Sequence, residues 1–235
     1  MIHAFSHEFF KQFKLAIVAD LGQTMYSVHT IKHMAEVYGV SAVFHAGDVS
    51  YADCDLTLWD TWFEQIEILS SKVPWHLCPG NHEQEIEHNS GKVFQSYRAR
   101  FQMPSVGKEI IKPLDSLDPL KKNESKCGSS AVTTQYDFGN SFHSIRIGMV
   151  KAIFLNTYTS SKPDSKQFLW LEQELKIANR TETPWLVVLM HGPFYNTFHN
   201  HHHERVTDTM KTNMEPLFLK YDVNLVIAGH VHAYR

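Results

Sequence analysis

The sequence AVFHAGDVSY, residues 42–51, joins a short apolar run to a glycine, an aspartate and a tyrosine. A short apolar run that ends in a turn signal predicts a buried β-strand, here residues 42–45. Glycine permits a tight turn, and residues 56–70 then carry apolar side chains at helical spacing. The stretch therefore predicts a strand, a polar turn and a helix, which is the repeating unit of a parallel α/β sheet.

The same alternation of short apolar runs and helix-like segments extends along the chain. It implies parallel pairing, and hairpin-like runs in the middle of the chain add mixed sheets, so we expect a layered α/β sandwich. Residues 103–130 are rich in Pro, Lys, Asp, Ser and Gly and predict a long surface loop. Further strands are expected at residues 15–19, 75–78, 131–138, 141–147, 151–156, 185–190 and 223–228, and further helices at 26–38, 93–101, 165–178 and 207–220.

Length and composition narrow the class of protein. The 235 residues fit a single domain that spans 1–235. Because the net charge is -3 and no cluster of Lys or Arg occurs, nucleic acid is not expected as the main partner. No apolar run is long enough to span a membrane, and no signal peptide is visible at the start. Three cysteines, Cys54, Cys78 and Cys127, are too few for a disulfide framework, and one pair plus a free thiol stays open.

Five short polar segments each follow a predicted strand directly. In open α/β sheets, ligands bind in the crevice outside the carboxyl ends of the strands. Glycines beside the polar residues allow the backbone to approach a ligand closely. The segments are Asp20-Leu21-Gly22, GDVSY at 47–51, GNHE at 80–83, His191 after an apolar run, and GHVH at 229–232.

The side chains of these segments form a set of oxygen and nitrogen donors without a thiolate. Such a set suits iron, zinc or manganese, and it is too large for one four-coordinate zinc. We therefore expect two ions that share one carboxylate, with Asp48 as the natural bridge. Two such ions lower the pKa of a bound water and stabilise an in-line displacement, which fits hydrolysis of phosphate esters. The candidate donors are Asp20, Asp48, Tyr51, Asn81, His191, His230 and His232.

Other histidines lie outside these segments. His45 is expected to be structural, and His76 and His143 belong to no motif.

The motifs DxG, GDxxY, GNHE, VxxH and GHxH, in this order, resemble the signature blocks of the purple acid phosphatases within the calcineurin-like metallophosphoesterases. The resemblance implies a layered α/β/β/α metallophosphoesterase sandwich of mixed sheets. It also implies a dinuclear acid phosphatase, in which a metal-bound hydroxide attacks a phosphate monoester. Small phosphate esters or phosphoproteins are the substrates that it implies, and the secreted, vacuolar or lysosomal space the expected location. Two sequons, at Asn123 and Asn179, agree with a secreted glycoprotein.

The resemblance also assigns roles to single residues. Asp20, Tyr51 and His232 would bind Fe(3+), and charge transfer from Tyr51 to that ion would colour the protein. Asn81, His191 and His230 would bind a divalent ion, Zn, Mn or Fe, with Asp48 between the two ions. His82 would assist the leaving group. Asn81 and His82 would contact the phosphate, together with a histidine of the 199–203 loop, for which spacing favours His201 and then His202.

Two departures from the family pattern leave alternatives open. The chain begins close to the first motif, without the N-terminal β-sandwich of larger relatives, and it ends three residues after His232. A C-terminal truncation is therefore one interpretation. The alternative functions are a phosphodiesterase or nucleotide pyrophosphatase of the same superfamily, and an inactive truncated metal-binding or interaction module. The oligomeric state and the natural substrate are not determined by the sequence.

Overall fold

The computed structural model describes residues 13–85, 92–106 and 132–233. Within these residues there are seven strands and five α-helices, which mostly alternate. A π-helical turn, His33–Tyr38, continues the first helix, and a single 3-10 turn spans His82–Gln84. The strands are β1 (Leu15–Val18), β2 (Ala42–Ala46), β3 (Trp75–Cys78), β4 (His143–Ile147), β5 (Val150–Phe154), β6 (Trp185–Leu189) and β7 (Leu225–Ile227), and the helices are α1 (Met25–Lys32), α2 (Leu56–Ser70), α3 (Gln95–Arg100), α4 (Lys166–Lys176) and α5 (Arg205–Lys220).

The strands form two sheets. In the first, the order is β1-β2-β3 and all described pairs are parallel. In the second, the order is β4-β5-β6-β7, where β4 pairs antiparallel to β5 and the remaining pairs are parallel. The expectation of mixed sheets therefore holds for the second sheet, whereas the described part of the first sheet is purely parallel.

Three clusters of buried apolar side chains define the layers. One lies between the first sheet and α1, α2 and α3, and includes the fully buried Trp59 and Trp62. Another lies between the second sheet and α4 and α5. The third joins the two sheets through Phe44 and Cys78 on one side and Phe154 on the other. The order helix, sheet, sheet, helix confirms the layered α/β/β/α sandwich expected from the sequence.

Local sequence explains α2, the helix that follows residues 42–51. Asp55 caps α2 by accepting a hydrogen bond from the backbone N–H of Thr57 at 3.0 Å. The apolar residues of α2 recur at intervals of three and four, so they form one buried face. This helix therefore begins and ends at the expected residues. Its buried side chains are Trp59, Trp62, Ile66 and Leu69.

Some expectations need correction or fall outside the described residues. The strand expected at 131–138 is wrong for its described part, 132–138, which pairs only through an isolated bridge between Thr134 and Thr159. Turn hydrogen bonds, such as Ser141 N–H to the Phe138 carbonyl, bend the chain here instead. Most of the loop expected at 103–130 lies outside the described residues, as does Asn123.

The cysteines differ in state. Cys78 is a buried free thiol in the layer between the sheets, and burial raises its pKa. Cys54 is disulfide-bonded. Within the described residues, no helix combines the length and the apolar character that crossing a membrane requires.

Two buried histidines, His45 and His143, make stability depend on pH. Burial first, and then neighbouring His191 for His45 and His76 for His143, lower each pKa from 6.5 to about 3, although Asp48 opposes the shift at His45. Neither ring of the two has a hydrogen-bond partner among the described residues. Because the unfolded chain binds these protons below about pH 6.5 and the folded chain only near pH 3, stability falls as the pH falls through this window.

We predict that His143→Phe weakens the dependence of the free energy of unfolding on pH. The ring of His143 stacks on Phe154 at 4.6 Å, so a phenyl ring fits the same place without a group that takes up a proton in the unfolded state. The free energy of unfolding of the variant, minus that of the wild type, should be about 2 kcal/mol larger at pH 5 than at pH 8. Urea unfolding at both pH values measures this. His29→Phe, on the exposed surface of α1, is the control, and an equal gain there would contradict the prediction.

Candidate metal centre

The carboxyl ends of the strands in both sheets meet at one edge of the sandwich. The loops after β1, β2 and β3 come from the first sheet, and those after β6 and β7 from the second. The hydrogen bonds that join the sheets there include His191 Nδ1 to the Ala46 carbonyl, at 2.8 Å, and the His230 backbone N–H to Asp20 Oδ2, also at 2.8 Å. The five polar segments of the sequence therefore lie together in the structure.

One group of donors surrounds His191, which is fully buried. Its Nε2 lies 3.1 Å from Asp48 Oδ2, 3.1 Å from Asn81 Oδ1 and 3.2 Å from His230 Nδ1. Donors that share one ion at about 2.1 Å are themselves roughly 3–3.5 Å apart. These four side chains therefore have the spacing of a common coordination sphere.

A second group of donors lies around Asp20. Tyr51 OH is 3.2 Å from Asp20 Oδ1 and 2.8 Å from His232 Nε2, and that nitrogen is 3.3 Å from Asp20 Oδ1. Asp20, Asp48 and His232 offer ligand atoms within 4.8 Å of one another, and so do Asp48, His191 and His230. Asp48 thus belongs to both groups, which is the arrangement that a bridging carboxylate requires.

The protonation of the buried groups reflects their crowding. Burial by itself lowers the pKa of His191, but the carboxylates of Asp48 and Asp20 outweigh it and raise this pKa to about 9. Burial raises the pKa of Asp48, but His191 outweighs that effect and lowers it to about 2. Anionic oxygen at this point therefore stabilises positive charge strongly, as a cation site requires.

Tyr51 differs from the other donors because it must lose a proton to bind an ion. Burial and then the carboxylates of Asp20 and Asp48 raise its pKa. The donor set nevertheless fits two ions: hard oxygens and imidazoles suit iron and zinc, and a strongly Lewis-acidic ion next to Tyr51 favours the phenolate. The residues present therefore fit a mixed pair of ions in which the ion beside Tyr51 carries the higher charge.

Most of the donors have an unusual backbone conformation. Residues with a side chain rarely adopt a positive φ, and each costs of order 1–3 kcal/mol unless its surroundings enforce it. Such residues cluster at functional sites. Five of the seven donors have a positive φ: Asp20 at 52°, Asp48 at 55°, Tyr51 at 53°, His230 at 72° and His232 at 53°.

Two glycines are required by close approach to the donors. A Cβ at Gly80 would collide with the carboxylate of Asp48, and a Cβ at Gly229 with the carboxylate of Asp20. The glycines of the motifs therefore leave room for the carboxylates of the neighbouring loops.

Glu83, the last residue of the GNHE motif, has a role that the sequence did not indicate. Its carboxylate is fully buried and accepts hydrogen bonds from three backbone N–H groups: Asp48 at 2.8 Å, Val49 at 2.8 Å and Gly80 at 2.7 Å. Burial, and next the charge of Asp48, raise the pKa of Glu83 to about 7. The residue joins the loop after β2 to the loop after β3.

Glu204 is a second residue that the sequence reasoning missed. Its carboxylate lies 2.6 Å from His201 Nδ1, and its two oxygens lie 3.0 and 3.1 Å from His230 Nε2. The three side chains form a further group with ligand atoms within 4.8 Å. The acidic residue directly after the histidine run was the available signal, but nothing in its spacing indicated contact with His230.

The remaining candidates lie at different distances from the donors. His82 Nδ1 is 2.8 Å from Asp53 Oδ1, and its Nε2 is 3.9 Å from Asp48 Oδ2. The ring of His201 packs on that of His230 at 4.0 Å. His202, in contrast, packs on His203, and the contacts described for it include none of the seven donors.

A comparison with known families now identifies the class of protein. The family model of the calcineurin-like phosphoesterases matches residues 13–234. The chain belongs to the calcineurin-like phosphoesterase family. The match covers the whole of the described sandwich, including all seven candidate donors.

Among calcineurin-like phosphoesterases, curated relatives of this chain are purple acid phosphatases. It is 36% identical over 226 residues to purple acid phosphatase 22 of Arabidopsis thaliana, covering 94% of this chain and 44% of the relative. It is 34% identical to the Fe(3+)-Zn(2+) purple acid phosphatase 12 of the same plant, covering 94% of this chain and 43% of the relative. The chain thus spans less than half the length of the curated relatives it matches.

A solved structure supports the fold. The purple acid phosphatase PPD1 from yellow lupin (Lupinus luteus) seeds superimposes with a TM-score of 0.70 and 20% sequence identity, covering 94% of this chain and 38% of that one. At this identity the likeness concerns the fold, which is the two-sheet sandwich described above.

We predict that Glu83→Ala strongly destabilises the folded chain. It would leave three buried backbone N–H groups without an acceptor, each costing about 1–3 kcal/mol, so the free energy of unfolding should fall by at least about 3 kcal/mol. Urea unfolding measures this loss. Glu67→Ala, on the exposed face of α2, is the matched control. A loss for Glu83→Ala no larger than that of the control would show that the loops do not depend on this carboxylate.

Proposed function

We propose that the chain is a dinuclear-metal phosphatase that hydrolyses phosphate monoesters. The observation that carries the proposal is the position of Asp48, which belongs to two separate groups of donors. In support, the chain is a calcineurin-like phosphoesterase and its curated relatives are named purple acid phosphatases.

In this proposal the two donor groups bind different ions. Asp20, Tyr51 and His232 would hold Fe(3+), Asn81, His191 and His230 would hold Zn, Mn or Fe as a divalent ion, and Asp48 would contribute to both. The name of one relative, an Fe(3+)-Zn(2+) phosphatase, agrees with such a pair. When bound, two ions of this kind supply Lewis acidity towards the phosphate and lower the pKa of water.

The chain's own residues prepare the divalent side. His191 donates its Nδ1 hydrogen to the Ala46 carbonyl, which leaves Nε2 directed at Asp48 and Asn81. The Glu204 carboxylate accepts the Nε2 hydrogen of His230, which leaves Nδ1 of that ring facing His191. A carboxylate or carbonyl behind a metal-binding histidine fixes the tautomer and the orientation of its ring.

His82 is the proposed proton donor to the leaving group. It is partly exposed, so a substrate can reach it, and Asp53 orients the ring through Nδ1. Burial by itself lowers the pKa of His82, but Asp53 and Asp48 outweigh it and raise this pKa above 6.5. The imidazole therefore keeps its proton to a higher pH than a free histidine does, which favours the protonated state that a general acid requires.

Asn81, His201 and His202 are the further residues proposed to contact the phosphate. His201 has the stronger support, because Glu204 holds it at 2.6 Å and its ring packs on His230. Small phosphate esters or phosphoproteins are the proposed substrates.

We also propose that the protein is secreted or resides in the vacuole or lysosome. The disulfide bond of Cys54 agrees with an oxidising compartment. Asn179, in the sequon Asn179-Arg180-Thr181, is exposed in the turn after α4 and is the proposed glycan site.

We predict that Asp48→Asn abolishes hydrolysis and reduces the bound metal. The amide lacks the charge that attracts two cations, so fewer than two ions per chain should remain and the rate should fall to background. Elemental analysis and assays with p-nitrophenyl phosphate and bis-p-nitrophenyl phosphate measure both effects. Near-normal rates in the variant would refute the bridging role. A wild-type chain that prefers the diester would favour the phosphodiesterase, and one with neither metal nor activity would favour the inactive module.

We predict that His82→Ala affects poor leaving groups most. For an alkyl phosphate, loss of the general acid should lower kcat by about 10²–10⁴-fold. For p-nitrophenyl phosphate the loss should be much smaller, because p-nitrophenolate leaves without a proton. Asp53→Asn, which keeps His82 but weakens its partner, should show the same pattern to a lesser degree. Equal losses for the two substrates would contradict the proposed role.

A further inference from the structure

The loop between β5 and α4 contacts the candidate metal centre, although it contains none of the motifs. Thr157 and Tyr158 of this loop are buried, with 1% and 0% of their surfaces exposed. Thr157 Oγ1 accepts hydrogen bonds from the backbone N–H groups of His191, at 3.2 Å, and Gly192, at 3.0 Å. The loop therefore holds the segment that carries one of the proposed divalent-metal donors.

Tyr158 contacts a second donor directly. Its phenolic O–H donates to Asn81 Oδ1 at 3.1 Å, and Asn81 is itself buried. A tyrosine phenol has an ordinary pKa of about 10, so it keeps its hydrogen at neutral pH. The group is therefore a permanent hydrogen-bond donor towards the amide.

Hydrogen-bond donation by Tyr158 matters because the two ends of an asparagine amide, the C=O and the NH2, have a similar shape. Its oxygen binds a cation and its NH2 group does not. His191 Nε2 also lies 3.1 Å from Asn81 Oδ1, but once this nitrogen gives its lone pair to an ion it has no hydrogen to donate. Among the described residues, Tyr158 is then the group that selects the oxygen end of the amide.

The position of Tyr158 is fixed by a network behind it. Its backbone N–H donates to Asn156 Oδ1 at 2.8 Å, and its carbonyl accepts from the Thr134 N–H at 2.6 Å. Asn156 is held in turn by Gln167 of α4, through hydrogen bonds of 2.8 and 3.0 Å. The phenol thus extends from a rigid support towards the metal centre.

We propose that Tyr158 is a positioning residue of the divalent-metal side: its phenol orients the Asn81 oxygen and thereby sets the affinity for Zn2+. This inference rests on the proposed function. No contact described for Tyr158 involves Asp20, Tyr51 or His232, so the effect is confined to one of the two ions. A residue that orients a metal ligand typically contributes 10–100-fold to metal affinity.

The test compares Tyr158→Phe with Tyr97→Phe. Tyr97 is equally buried and donates its O–H at 3.1 Å to the Leu77 carbonyl, so its variant loses one comparable hydrogen bond outside the centre. Both variants and the wild type are loaded with Fe(3+) and equilibrated with a series of Zn2+ buffers. Elemental analysis gives Zn2+ per chain, and visible absorption reports iron beside Tyr51.

For Tyr158→Phe, the Zn2+ concentration at half occupancy should rise about 10–100-fold while the visible band is retained. Tyr97→Phe should match the wild type in both readouts. Equal Zn2+ affinity in the two variants, or loss of both ions together from Tyr158→Phe, would overturn the inference. A wild-type chain that binds no Zn2+ would overturn the proposed function as well, so the two failures are distinguishable.

A second background tests whether Tyr158 acts through the amide. In Asn81→Asp, both side-chain ends are oxygen, so there is no end to select. Adding Tyr158→Phe to that variant should change Zn2+ affinity by less than about 3-fold, because the coupling between the two residues is lost. An undiminished 10–100-fold effect would show that Tyr158 acts through packing, against the proposal.

Discussion

The structure depends on neutralising the negative charge of several carboxylates that lie close together in a buried site. Asp20, Asp48 and Glu83 meet where the carboxyl ends of two sheets converge, and the carboxylates of Asp48 and Asp20 raise the pKa of the buried His191. Buried charge of this density is stable only with cations or hydrogen-bond donors beside it. The imidazoles, the backbone N–H groups around Glu83 and the proposed pair of ions all serve this one requirement.

The scaffold around the charge is built from contacts between loops. Glu83 joins the loops after β2 and β3, His191 and His230 join the second sheet to the first, and the loop between β5 and α4 supports His191 and Asn81. These links hold five donors in a backbone conformation that they would not adopt alone. The protein retains this backbone strain because hydrogen bonds from more than one neighbouring loop hold these segments in place.

Four of the histidines in the proposed centre have a carboxylate or carbonyl partner. His82 has Asp53, His201 and His230 share Glu204, and His191 has the Ala46 carbonyl. The partners fix which ring nitrogen faces the centre, which separates proton donors from metal ligands. Membership of the calcineurin-like phosphoesterases accounts for the sandwich. The pairs determine which ring nitrogen of each histidine is available at the centre.

The sequence by itself determined the elements and the order of the donors. Apolar runs, the Asp55 cap and the glycines act over a few residues, so α2 and β3 have the expected bounds, and five motifs end five strands. Only the tertiary structure decided the partners: Tyr158 meets Asn81 across 77 residues, and the His230 N–H meets Asp20 across 210. It also gave Glu83 and Glu204 their contacts and brought His201, which spacing already favoured, against the ring of His230. Such contacts have no local pattern, because they arise when packing of the two sheets brings distant loops together.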